Sequence, residues 1–435
     1  MIPRGLWRGV ALGAVAALAA LACVEDVTSP SSCPAYCPGG QIVTVESLLA
    51  GAIVRDSSFT GYRQAHEAFV MLAVNQPGLE SRPIFQTRPI ATRLRIDTAT
   101  DTTTGPITMD SARLTLTWLR RDTTTRTLRL ELYRLPLGLD TTSTFAGLAP
   151  SFGAPLRVVN LDSLLALPGL HDSITGDSIL SRDSLRRVIV VSVKLDSAQA
   201  PFTLADSGKV AFGVRVTADS NATLVLGSTE VGEGPRIVWY NRVDSAGTLV
   251  PRGAQTQGLS FDSFVSTLGP AALDSNLTIG GVPSSRALLR FVLPRNIRDS
   301  AQIIRAILLL VQAGPTPTFT GDTVFLRLSR LAGDFGAKSP VPLDTITAAS
   351  SLFVPKAGDT LRIEVTTLLR FWQIDTTAAT SAFAGLFALD RRDSSRINGF
   401  EGATLTTLRV FSTRTAAFRP ALRLTYVPRI KFGAR

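Results

Sequence analysis

The sequence predicts an all-β protein built from two antiparallel β-sandwiches in tandem. Three observations carry that prediction. From about residue 45 onward, short segments alternate apolar and polar side chains, the period of a strand with one face buried. Asp-Ser and Asp-Thr pairs recur between them: Asp110-Ser111, Asp162-Ser163, Asp196-Ser197, Asp206-Ser207 and Asp322-Thr323. Such side chains bond nearby backbone groups and mark turns. The order of segments in the first half then returns in the second, as in an internal duplication. Hydrophobic residues make up 45% of the 435 and charged residues 18%, which is enough apolar material for two sizeable cores and argues against wholesale disorder.

At the N-terminus Arg4 and Arg8 form a short positive start. Gly9 to Ala22 is apolar and small, too short to span a bilayer comfortably. Together they fit a secretion signal over residues 1–22. Ala20-Leu21-Ala22-Cys23 resembles the lipobox of bacterial lipoproteins, with Ala20 where that pattern usually carries Leu. The resemblance implies that Cys23 is lipidated and becomes the mature N-terminus, held at the membrane by more than one acyl chain. The alternative is an ordinary signal with Cys23 as a bystander. Residues 23–44 are rich in Ser, Pro and Gly and read as a tether. Within it, Cys33 and Cys37 suit a small disulfide loop in an exported chain, or remain free thiols. No further Cys or His stands near enough in sequence to suggest a metal site there.

The strands follow in order. Ala112 to Trp118 places Leu114, Leu116 and Trp118 on one face, and Leu128 to Leu135 does the same with Leu128, Leu130 and Leu132. The Thr-rich stretch from Arg120 to Arg126 between them reads as a hairpin loop. Val188 to Val193, Val210 to Val216 and Arg236 to Tyr240 complete the first set. In the second, Ala287 to Phe291, Ile304 to Val311 and Thr323 to Leu328 lead to Ala421 to Tyr426, which parallels Arg236 to Tyr240. Gly, Pro and Ser gather over Asp244–Gln257, so the expected units are 45–246 and 257–429.

The second half carries a more specific pattern. Ser285 to Pro294 ends in Phe291-Val292-Leu293-Pro294, and Ile304 to Leu310 follows. Val324 to Leu331, Ile363 to Trp372, Phe411-Ser412-Thr413 and Pro420 to Tyr426 come after it in order. This succession over residues 260–428 resembles DNRLRE-type domains, with Val292 and Glu364 where that family usually has Asp. The first half resembles it in Asp110 to Leu116, in Leu130 to Leu135 and in its last strand, while residues 136–185 are longer and different. The resemblance implies jelly-roll-like sandwiches of exported bacterial proteins. Some relatives resemble carbohydrate-binding modules, including ones for acidic polysaccharides, and no catalytic residue comes with the family.

Site chemistry is sparse. The two histidines, His66 and His171, stand far apart and read as surface residues. No Walker-type loop or dinucleotide fingerprint occurs, and no Asp-x-Asp-x-Asp calcium loop. Trp118, Trp239 and Trp372 each share a face with aliphatic residues and read as core, which weakens stacking on neutral sugars. Removing Arg4 and Arg8 with the signal lowers the formal net charge from +11 to +9. The arginines are scattered, unlike a nucleic-acid binder's basic cluster. The expected protein is therefore a non-enzymatic lipoprotein without cofactor or metal, exported and lipid-anchored at the outer membrane or cell surface. Its role is structural or adhesive among envelope proteins; the alternative is an acidic polysaccharide gripped by Arg. A sheet face lined with Arg and exposed Tyr favours the alternative, and a plain polar face favours a scaffold.

Overall fold

The computed structural model describes residues 44–62, 70–96, 104–121, 125–166, 180–183, 188–199, 205–245, 247–267, 276–282, 284–313, 324–331, 343–353, 356–374, 382–389 and 407–428. Its strands run β1 (Val45–Leu49), β2 (Ile53–Tyr62), β3 (Val70–Gln76), β4 (Leu79–Thr87), β5 (Arg93–Arg95), β6 (Thr104–Arg121), β7 (Arg129–Leu135), β8 (Arg157–Asn160) and β9 (Leu180–Asp183). Next come β10 (Val188–Asp196), β11 (Ala211–Thr217), β12 (Ala222–Gly227), β13 (Arg236–Ser245), β14 (Thr248–Pro251), β15 (Gln255–Gln257) and β16 (Leu259–Ser266). The remainder are β17 (Leu277–Gly280), β18 (Ser284–Phe291), β19 (Ala301–Val311), β20 (Val324–Leu331), β21 (Leu343–Phe353), β22 (Thr360–Glu364), β23 (Ala382–Leu389), β24 (Thr407–Val410) and β25 (Ala421–Pro428). All strand pairings among the described residues are antiparallel, and the all-β sandwich class is as the alternation predicts.

In the first sandwich one layer runs β15-β13-β6-β10. The other runs β8-β7-β11-β4-β3-β12, with β16 beside β4. The end of β6 also pairs with β12, so the layers join along one edge and the sheet curls. In the second sandwich the layers are β1-β25-β19-β22 and β21-β20-β23-β18-β17-β24, with β2 beside β18. The two orders coincide strand for strand. Register coincides as well. Ile84, Gly213 and Tyr133 lie abreast on β4, β11 and β7, as Leu288, Gly385 and Ser329 do on β18, β23 and β20.

Each sandwich closes over its own core. Leu114, Leu116 and Trp118 of β6 face Leu128, just before β7, and Leu130 and Leu132 on it, all buried in one cluster. In the second, Ala306, Leu308 and Leu310 face Leu326, Leu328 and Leu386. Burying one such side chain is worth about 1.5–3 kcal/mol, so these interleaved faces hold the layers together. Trp118, Trp239 and Trp372 are core residues, as their parity predicts. Trp372 lies on the helix Thr366–Ile374, which buries Leu368, Leu369 and Trp372 against the second core.

Two expectations are corrected. The Arg120–Arg126 stretch is no hairpin loop: β6 pairs with β10, β12 and β13, and β7 with β8 and β11. The apolar faces of β6 and β7 meet across the core, so the chain crosses between layers there. The expected units 45–246 and 257–429 also shift. β1 and β2 pair with β25 and β18 of the second sandwich, while β15 and β16 pair with β13 and β4 of the first. These two-strand segments occupy edges that the nine-strand cores leave open. The first core is thereby inserted between two parts of the second sandwich.

Candidate functional site

The most concentrated chemistry among the described residues lies on the outer face of the first sandwich, over β4, β11 and β7. Alternation along β7 turns Leu130 and Leu132 inward and Glu131 and Tyr133 outward. On β4 the outward positions include Glu80 and Arg82, and on β11 Gly213 and Arg215. Glu80 Oε1 lies 2.8 Å from Arg82 Nε and 2.8 Å from Arg215 Nε. The Tyr133 hydroxyl donates to Glu131 Oε2 at 2.6 Å, and Thr217 Oγ1 donates to Glu131 Oε1 at 3.3 Å.

This polar row is roofed by the short helical stretch Phe145–Leu148 and the turn Ala149–Phe152. Thr144 starts the stretch by accepting from the Gly147 N–H. Phe145 and Phe152 both lie against the Arg82 guanidinium, at 4.3 and 4.4 Å. Phe152 packs on Tyr133 with ring centroids 4.9 Å apart. It reaches the sheet because Gly213 has no side chain: a Cβ there would meet Phe152 Cζ at 2.4 Å. Tyr133 is 2% exposed as a result.

Burial, and next to it the Glu131 carboxylate, push the Tyr133 hydroxyl up to about 12 from its ordinary 10. A raised acid binds its proton more tightly folded than unfolded. Its contribution to stability is therefore full below pH 10 and is lost as pH rises from about 10 to about 12. Tyr133→Phe is expected to flatten that part of the loss. Thermal midpoints of both proteins across pH 9 to 12 check it; parallel curves would contradict the assignment.

The sequence-level candidates fall elsewhere. Cys23, Cys33 and Cys37 lie outside the described residues, as do His66 and His171. Among the described residues no group of three or more His, Cys, Asp or Glu is placed to hold a metal. No described helix is long and apolar enough to cross a membrane. The row Glu80, Arg82, Glu131, Tyr133 and Arg215 was not singled out from sequence. Parity on β7 shows Glu131 and Tyr133 sharing a face, but nothing local shows that residues 145–152 fold back over them.

No family model matches the chain. No curated protein matches it either. The DNRLRE-type resemblance thus rests on the order of its motifs alone. Chemically, the roofed row is a structural clamp: its cations already face a carboxylate or aromatic rings, and its tyrosine is covered.

Proposed function

We propose that the chain is an exported lipoprotein, anchored through Cys23, that serves a structural or adhesive role in the cell envelope. The observation that supports it most is where the tether enters the fold. Residue 45 begins β1, and β1 pairs along Val45–Leu49 with β25, the last strand described. β2 continues into the opposite layer of that sandwich. Force entering from the tether thus passes first into the second sandwich and its closing strand, so the fold is fastened where it would be pulled. The roofed row on the first sandwich adds to this reading. Arg82 and Arg215 face Glu80, and Tyr133 is covered, so these three side chains are already engaged within the fold.

The anchor is tested with Cys23→Ser. The wild-type chain is expected in the membrane fraction and in the detergent phase of a two-phase extraction. The variant is expected to move to the soluble exported fraction. Continued partition of the variant with membranes would overturn the lipid attachment.

A further inference from the structure

Strands β3, β4, β6, β7, β8, β10, β11, β12 and β13 correspond, in chain order, to β17 through β25. Two more strands complete each set. β15 and β16 hold in the first sandwich the places that β1 and β2 hold in the second. By chain order, however, β1 and β2 precede the first set, and β15 and β16 precede the second. Each two-strand arm therefore lies on the core of the other repeat: the repeats have exchanged arms.

Both arms are locked the same way. On β2, Asp56 lies opposite Leu289; on β16, Asp262 lies opposite Phe85. Those partners are equivalent, each standing one place after the matched pair Leu288 and Ile84. Asp56 is 8% exposed and accepts from the Thr413 N–H at 2.6 Å and from Thr413 Oγ1 at 3.0 Å. Asp262 is 2% exposed and accepts from the Thr229 N–H at 2.7 Å and from Thr229 Oγ1 at 3.1 Å. Each threonine follows a fully buried serine, Ser412 or Ser228, just past β24 or β12.

We propose that the arms are interchangeable strand donors, and that arm 45–62 of one copy completes the second sandwich of another. The edge formed by β18 and β25 then fits a second copy of this chain. It recognises its occupant by main-chain pairing in two layers, by the pocket for the fully buried Ile53 and by one aspartate. None of these distinguishes an arm of the same chain from that of a copy. Arm 45–62 is the exchanging one, because it is tied to the two cores through residues 63–69 alone. Arm 255–266 is joined to a core at each end and moves only with a whole sandwich. Each copy offers one such arm and one acceptor edge, so reciprocal exchange closes as a dimer. This proposal stands apart from the envelope reading and needs no membrane.

Two differently tagged full-length chains, mixed and incubated, test it. Mixed-tag complexes are expected, and Asp56→Ala is expected to speed their formation at least about tenfold, because it removes both charge-assisted hydrogen bonds of the lock. A staple then decides the interface. Ser57 and Leu288 are register partners, and directly opposed strand residues lie about 4.5–5.5 Å apart between Cα atoms, within disulfide reach. Ser57→Cys with Leu288→Cys, oxidised in dilute solution, should abolish mixed complexes, and reduction should restore them. The unstapled chain under the same reductant controls for the native cysteines. Absence of mixed complexes from the unstapled chains overturns the proposal. So does their formation at an undiminished rate by the oxidised, stapled chain.

Discussion

Gln257→Leu is expected to lower the stability of the first sandwich by about 4 kcal/mol, since a buried polar group left without its partner costs about 1–3 kcal/mol. Gln257 ends β15 and is 3% exposed. Its Oε1 accepts from Trp239 Nε1 at 2.6 Å. Its Nε2 donates to the Gly208 carbonyl at 3.0 Å and to the Arg88 carbonyl. One side chain thus ties the arm to the closing strand β13, to the turn before β11 and to the end of β4. Leucine is of similar size and fills the same space, so the loss is of hydrogen bonds rather than of volume. Three partners lose Gln257 together. The check is urea unfolding followed by tryptophan fluorescence, with Trp239 as a reporter beside the substitution. A loss below about 1 kcal/mol would mean that water or a shifted neighbour replaces the amide.

Much of this fold is legible in the sequence, and what is not legible has identifiable causes. Alternation along Ala112 to Trp118 and Leu128 to Leu135 gives the strands and their inward faces, because side-chain parity is a local property. It does not say which strand lies beside which. The Thr-rich stretch after Arg120 is compatible with a hairpin and equally with a crossover, and only the facing of two apolar surfaces decides for the crossover. Arm exchange is hidden for the same reason: β1 and β2 look like the start of the first unit until their partners are known. Asp-Ser pairs mislead at Asp110-Ser111, which reads as a turn but lies inside β6. Asp196 behaves as the turn reading predicts, accepting from the Ala198 and Gln199 N–H groups. Asp56-Ser57 and Asp262-Ser263 have the same composition but lie inside strands, with their carboxylates buried. Apolar neighbours within three positions do not separate the two kinds: Ile53 and Phe59 flank Asp56 much as Leu195 and Ala198 flank Asp196. Of the candidate site, the outward parity of Glu131 and Tyr133 was readable, whereas the roof of Phe145 and Phe152 depends on Gly213 some sixty residues away in sequence.

Asp262→Ala tests how far the two sandwiches share one stability. Hydrogen bonds to a charged group are worth about 1.5–3 kcal/mol each. Losing both bonds to Thr229 should therefore destabilise the first sandwich by about 3 kcal/mol. The effect should not stop there. Arm 45–62 leads in sequence to Val70 of the first core, which shares a buried cluster with Val282, between β17 and β18 of the second sandwich. While that core is folded, it holds the arm close to its acceptor edge. Once it unfolds, residues 63–276 become one flexible loop, and closing a loop of such length costs about 5 kcal/mol. The second sandwich would then be weaker by that amount, although Asp262 lies on a strand of the first. Asp262→Ala is thus expected to move a single shared transition to lower denaturant rather than to split it in two. Hydrogen exchange offers the sharper view: amides of β19 and β25, in the second sandwich, should lose protection together with those of β4 and β11. The equivalent change in the second sandwich, Asp56→Ala, should act in the same direction by a similar amount, since its lock makes the same two bonds. If β19 and β25 keep full protection in Asp262→Ala while β4 and β11 lose theirs, the sandwiches are energetically independent and the exchanged arm couples nothing.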